Sequence, residues 1–293
     1  MNGPGLQETM DEVSIVVPTL GGEQLGETIS SVNAGSFVPE RILVCIPEGR
    51  ELQASISGHD NVEIVRTRVS GQVAQRAVGL GMADTPFIVQ LDDDILLEQD
   101  CLAQLVAAAK RLGANSAVSP AFIKPGSGES LYRVDSASLV KKCYFRLLNG
   151  KRGFQPGTIT RAGTTLGIEC LDGDVRDIEL EWLPGGCVLH YKANVITDNY
   201  FPFPGKAFSE DLYFSLLAAK RGIRLYICTG SRCVVDPMPE IEKQGAGEFF
   251  RGISGDLRAR KKFVKDTGRS LFRMYCFYAI HVLNYFTRKL IRT

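Results

Sequence analysis

Four short apolar runs, alternating with helical patterns over the first third of the chain, constrain the fold more than any other feature. Val13-Ser14-Ile15-Val16-Val17-Pro18 is a β-branched run stopped by proline, and residues 41–46, 61–66 and 86–91 repeat that strand signal. Residues 25–32, 71–82 and 99–112 carry helical patterns instead, the last rich in Leu and Ala. Strands alternating with helices on short connections predict right-handed βαβ units. The chain therefore reads as α/β, with a mostly parallel, Rossmann-like central sheet flanked by helices. Further strands are expected at 117–123, 224–228 and 232–235.

The fourth run drives directly into Asp92-Asp93-Asp94, with no basic residue between them. Asp has a reference pKa of ~3.9, so all three are ionised at neutral pH unless something intervenes. If strand geometry continues through them, Asp92 and Asp94 share a face and Asp93 points away. Two adjacent hard oxygen donors suit Mg²⁺ or Mn²⁺, usually held by one or two carboxylates plus substrate phosphates. A solvated acidic turn ahead of the next helix accounts for the same residues. Position favours the ligand reading. In parallel sheets ligands sit beyond the carboxyl ends of the strands, where Thr19, Glu48 and the three aspartates all fall.

Composition narrows the field. A chain of 293 residues can form two domains or one enlarged α/β domain, and a formal charge of +1 gives no electrostatic case for bulk nucleic-acid binding. The eight cysteines lie mostly in apolar runs without a Cys-x-x-Cys pair, and only three histidines exist, which argues for buried thiols over a zinc site. Residues 1–12 are polar, lack the pattern of a signal peptide, and read as a disordered leader on a cytoplasmic chain.

Beyond residue 123 the chain is less regular, first basic (Lys141, Lys142, Arg146, Lys151, Arg152, Arg161) and then acidic (Glu169, Asp172, Asp174, Asp177, Glu179, Glu181). Solvated loops and an exposed helix explain this. So does an acceptor-side surface near an anionic substrate or membrane. Trp182 stands beside Gly185-Gly186, where it is either a core residue at a bulge or a flat face on which a sugar stacks. Ser209 is a candidate N-cap for a helix with Glu210 and Asp211 in its first turn, and capping alone could explain those acids. Residues 236–247 form a candidate lid, followed by a basic helix.

Residues 271–291 are long enough to span a bilayer if helical, at about 30 Å. Arg273, Phe277, His281, Asn284 and Arg288 share one face, however, and an Arg within a span costs ~2.5–3.5 kcal/mol. The other face is Leu271, Tyr275, Tyr278, Val282, Phe286 and Leu290. A helix resting on a membrane surface, or packed on the protein, fits better than a span.

Taken together, residues 13–236 resemble family-2 glycosyltransferases of the GT-A fold. The resemblance rests on Val13-Ser14-Ile15-Val16-Val17-Pro18-Thr19, on Gly71, Arg76 and Gly79, and on Leu91-Asp92-Asp93-Asp94 as an Asp-x-Asp motif. Trp182-Leu183-Pro184-Gly185-Gly186-Cys187 and Glu210-Asp211-Leu212 with Lys220-Arg221-Gly222 complete it. Each motif is weak singly; five in the right order are not. The resemblance implies inverting transfer of a sugar from a nucleotide-diphosphate donor to a carbohydrate or lipid-linked hydroxyl, in surface polysaccharide or glycolipid synthesis. It places Pro18, Thr19, Glu48, Gly71, Arg76, Asp92 and Asp93 at the donor, and Trp182, Gly185 and Gly186 at the acceptor. It further implies Mn²⁺ or Mg²⁺ on Asp94, with Asp92 and Asp236 as further ligands, and Asp211 as general base supported by Glu210. The implied division is a nucleotide-sugar half at 13–115, an acceptor half at 116–236, and a lid with C-terminal helices at 237–293.

Two departures from the family pattern stand out. The second strand ends in Ile46-Pro47-Glu48 in place of an acid at its last position, and Asp236 stands where many members carry a His. A haloacid-dehalogenase-like phosphatase also uses Asp-x-Asp, but after the first strand of its domain, whereas three strand-like runs precede it here. A dinucleotide-binding protein lacks its Gly-x-Gly-x-x-Gly, and a nucleotidyltransferase lacks its loop cation. A non-catalytic nucleotide-sugar binder remains as a further alternative.

Overall fold

The structure is a computed structural model, described here for residues 12–56, 58–168, 175–204, 206–236 and 245–291. The leader at 1–11, Cys170 and residues 237–244 of the expected lid lie outside the described residues.

The first half follows the predicted alternation: β1 (Val13–Pro18), α1 (Leu25–Asn33), β2 (Arg41–Pro47), β3 (Val62–Thr67), α2 (Gln72–Met82), β4 (Phe87–Leu91). A short β5 (Ile95–Leu97), α3 (Cys101–Leu112) and β6 (Ser116–Ile123) come next. The second half comprises α4 (Leu139–Asn149), β7 (Asp177–Leu180), β8 (Cys187–Tyr191), α5 (Glu210–Lys220), β9 (Arg224–Val235), α6 (Ala246–Asp266) and α7 (Leu271–Ile291).

The strands form one sheet in the order β3-β2-β1-β4-β8-β6-β9-β5, with β7 on β9. β3, β2, β1 and β4 pair in parallel, and β6 pairs in parallel with β9; β8 runs antiparallel between β4 and β6. Strand order reverses direction at β1, so the crevice beyond the carboxyl ends of β1 and β4 is a topological switch point.

Both faces of the central strands are buried, which is why they read as unbroken apolar runs. Val13, Ile15 and Val17 pack with α1 and α3, while Val16 on the other face packs with Leu43, Cys45, Leu80 and Ile88. Gly79 permits the close seating of α2, since a Cβ there would lie 2.6 Å from Cys45 Sγ. All seven described cysteines are free and five are buried.

Two expectations need correction. The strands expected at 224–228 and 232–235 are one strand, β9, whose register against β6 jumps from Cys228 to Arg232 between Pro120 and Ala121. The residues between bulge out, and Ser231 Oγ turns inward to donate to the Cys101 carbonyl at 2.8 Å. In α7 the two faces are rotated from the expected ones. Met274, Tyr278 and Tyr285 are buried against the protein with Phe277 and His281 beside them, and the Arg273 guanidinium donates to the carbonyls of Arg146 and Leu147. Among the described residues no helix is long and apolar enough to cross a membrane.

Candidate active site

A cleft of about 650 Å³ opens at the switch point. Its walls are Pro18, Thr19, Leu20 and Gly22 after β1, Ser70 to Gln72 and Gln75 at the start of α2, Asp92 to Asp94 after β4, Gly186 before β8, and Lys206, Ala207, Glu210 and Asp211 at the start of α5. Two acidic segments more than a hundred positions apart thus face one cavity.

The three aspartates do not alternate as a strand would. β4 ends at Leu91, and 92–94 form the turn into β5, so all three reach the cleft. Asp92 is fixed from two sides, Oδ1 accepting from Gln72 Nε2 at 2.8 Å and from Arg76 Nη2 at 2.9 Å. Its backbone N–H donates to the Gly186 carbonyl at 2.7 Å. Asp93 accepts from the Thr19 hydroxyl, which itself accepts from the Gly21 N–H at 2.9 Å, so β1 and β4 are tied at their ends. Gln75 donates to the carbonyls of Thr19 and Cys45, both at 2.8 Å, holding the β1 and β2 ends in place. Burial pushes all three aspartates above the ordinary carboxylate range. Arg76 opposes this at Asp92 and Thr19 at Asp93; at Asp94 the neighbouring charge of Asp93 adds to it while Lys206 opposes it.

Arg76 is the joint of the site. Its side chain is 2% exposed, and its other terminal nitrogen, Nη1, donates to Glu210 Oε1 at 2.7 Å. Burial disfavours the guanidinium charge, yet Glu210 and Asp92 hold it protonated. Glu210 Oε2 accepts from the Tyr200 hydroxyl at 2.6 Å, so both its oxygens are occupied. Gly185 lies against this pair, because a Cβ there would overlap Glu210 Oε1, and Gln90 Nε2 donates to the Gly185 carbonyl at 2.6 Å. Asp211, adjacent to Glu210 and at the cleft, is pushed up to about 7 by burial and then by the Glu210 charge. A carboxylate poised near neutrality can accept a proton in water at physiological pH.

Ser209 does not cap α5 as expected. It sits in the left-handed region at φ 54° with no capping bond, and its hydroxyl donates to Asp256 of α6. Arg260 Nη2 donates to Ser209 Oγ at 2.7 Å, and the Tyr278 hydroxyl of α7 donates to Asp256 at 2.6 Å. The residue immediately before the acidic pair is therefore clamped by both C-terminal helices.

Not every expected site residue comes to the cleft. Glu48, one position past β2, is exposed and lies 3.8 Å from Arg68. Trp182 is buried edge-on to Tyr132, its indole N–H donating to the Leu166 carbonyl at 3.0 Å, so its ring is a core face and not a cleft wall. Asp236 directly follows β9 and is near enough to Asp94 to raise it. Among the described residues no group of three His, Cys, Asp or Glu gathers as a metal site. The carboxylate chemistry does fit a hard divalent cation that takes its other ligands from substrate phosphates. Sequence reasoning missed Gln72, Gln75, Tyr200 and Lys206. The glutamines carried a signal, since 72, 75 and 76 share one face of α2 and put polar groups where a helix otherwise meets the sheet.

The family profile described as glycosyl transferase family 2 matches residues 14–166, more than half the chain. The chain belongs to glycosyl transferase family 2. As a glycosyltransferase it leaves the phosphatase alternative without support. The crystal structure of GalNAc-T7 with UDP, GalNAc and Mn²⁺ aligns with a TM-score of 0.57 at 14% identity, over 90% of this chain and 56% of that one. At that identity the likeness speaks to the fold alone, which is GT-A; the chain spans little more than half the length of that neighbour. No curated protein matches the glycosyltransferase by sequence.

Proposed function

We propose that the cleft binds a nucleoside-diphosphate sugar and that the enzyme transfers the sugar, with inversion, to a carbohydrate or lipid-linked hydroxyl. One observation carries this reading: Arg76 bridges Asp92 and Glu210, so the acids on the donor side and the acid beside Asp211 share one cavity. Asp92 and Asp93, with Pro18, Thr19 and Gly71, line the donor end, and Asp92 retains Oδ2 for a ribose hydroxyl. Asp94 and Asp236 are the residues that would hold Mn²⁺ or Mg²⁺, the donor's phosphates completing the shell; the neighbour bound to UDP contains Mn²⁺. A cation held there neutralises charge on the departing nucleoside diphosphate. Lys206, facing Asp94 across the cleft, adds a positive charge at the same end.

Asp211 takes the proton from the acceptor hydroxyl as its oxygen bonds to the anomeric carbon and the bond to the diphosphate oxygen breaks. Glu210 acts through Asp211 and Arg76, since both its oxygens are engaged. Gly186 lines the cleft and Gly185 packs against Glu210, so the backbone at 185–186 forms the acceptor side beside these acids. The fitting experiment is thermal-shift screening with UDP-, GDP- and dTDP-sugars, with and without Mn²⁺. Stabilisation by one donor class that grows with Mn²⁺ supports the reading, and no shift with any of them overturns it.

A further inference from the structure

Helix α7 carries two apolar stripes. One, through Met274, Tyr278 and Tyr285, is buried on the protein. The other, Phe272, Tyr275, Leu283, Phe286 and Leu290, recurs at helical spacing on the opposite side and is exposed, Phe272 by 73%, Leu283 by 65% and Leu290 by 74%. Among the described residues these side chains stay largely open to solvent. At the start of α4, which packs against α7, Leu139 and Val140 are also exposed, by 76% and 80%.

The segments that form this face are one-sided in charge, with Asp135, just ahead of them, paired to Lys141 at 2.8 Å. Residues 136–168 and 267–293 together hold eleven of the 34 basic residues and none of the 33 acids, so the rest of the chain carries ten more acids than bases. Lys142, Arg146, Lys151, Arg152 and Arg161 are exposed. A second copy seated on this face would bring like charges together, whereas an anionic lipid surface would meet both the apolar stripe and its basic border.

We infer that α7 and α4 form a docking face for an anionic lipid bilayer, with α7 lying in the interface plane and its Phe272–Leu290 stripe inserted among the acyl chains. The stripe runs the length of a helix about 30 Å long that cannot cross the bilayer, so the protein is held on the surface. The other side of the same helix reaches, through Tyr278 and Asp256, to Ser209 beside the acidic pair. Docking thus fixes the orientation of the cleft relative to the bilayer. This inference needs no donor or acceptor and stands apart from the glycosyl-transfer reading.

Flotation of the full chain with phosphatidylglycerol-containing vesicles, against phosphatidylcholine vesicles, tests it. Binding to the anionic vesicles is expected, weakened by salt. It should fall roughly tenfold or more in Phe272→Ser/Leu283→Ser/Leu290→Ser and in Lys142→Glu/Lys151→Glu/Arg152→Glu. These side chains are exposed, and unchanged thermal unfolding confirms that the variants fold. Absence of binding to anionic vesicles overturns the inference, as does binding that survives the apolar triple variant. Sedimentation showing a wild-type dimer that the same variant converts to a monomer overturns it too, by assigning the face to a second copy.

Discussion

The Arg76 guanidinium spans Asp92 and Glu210, at 2.9 Å and 2.7 Å, and in doing so joins two segments separated by more than a hundred residues. Because the cation is buried and its partners nearly so, removing it strands two carboxylates. Arg76→Leu should therefore cost about 3–5 kcal/mol in urea unfolding at neutral pH. The penalty should shrink as pH falls, because without the guanidinium the buried Asp92 carboxyl protonates more readily in the folded state than in the unfolded one. A destabilisation that does not change between neutral and acidic pH would count against the bridge.

If Asp211 is the general base, as proposed, it sets the acid limb of the rate profile. In that role it works only when deprotonated, and burial beside Glu210 raises it to about 7. Activity, read as kcat/KM for the acceptor, should climb tenfold per pH unit below that value and level off above it. Glu210→Gln removes the neighbouring charge and should move the limb to lower pH. A limb that stays in place would mean that another group titrates.

In the proposed function Asp94 is the residue that would hold the cation. Asp94→Asn should abolish any Mn²⁺-dependent thermal shift given by the donor while leaving the unfolding temperature of the protein alone nearly unchanged. A shift equal to wild type would remove Asp94 from that role.

Asp256 buttresses the start of α5 through Ser209, and it is itself held by Arg260 and Tyr278. Burial pushes its carboxyl up, but those three partners keep it below the ordinary range. Asp256→Ala leaves Arg260 buried without its carboxylate, and should destabilise the fold by about 3 kcal/mol or more. It should also lower turnover more than donor affinity, because the displaced segment carries Asp211 and not the donor-side aspartates. Equal losses in both would assign Asp256 a structural role alone.

The parallel half of the sheet was legible because its strands are buried on both faces and its helices are short and periodic. Val13–Pro18 and Phe87–Leu91 could hardly be anything else. The turn at Asp92 was less so: alternation stops where backbone pairing stops, and nothing in the sequence marks Leu91 as the last paired residue. Trp182 illustrates a second limit, since an aromatic beside glycines has the same sequence signature on a cleft wall and in a core. Tyr200 and Lys206 reach the site from a loop without periodicity, so only tertiary structure brings them there. The faces of α7 differ from those the sequence predicts because both its sides are apolar, one toward the protein and one toward solvent.

The most direct measurement is donor binding and sugar transfer recorded side by side for Asp211→Asn. Donor affinity, by calorimetry with the nucleotide sugar and Mn²⁺, should match wild type while transfer falls by roughly a hundredfold or more. Transfer at the wild-type rate in that variant would contradict the proposed role of Asp211.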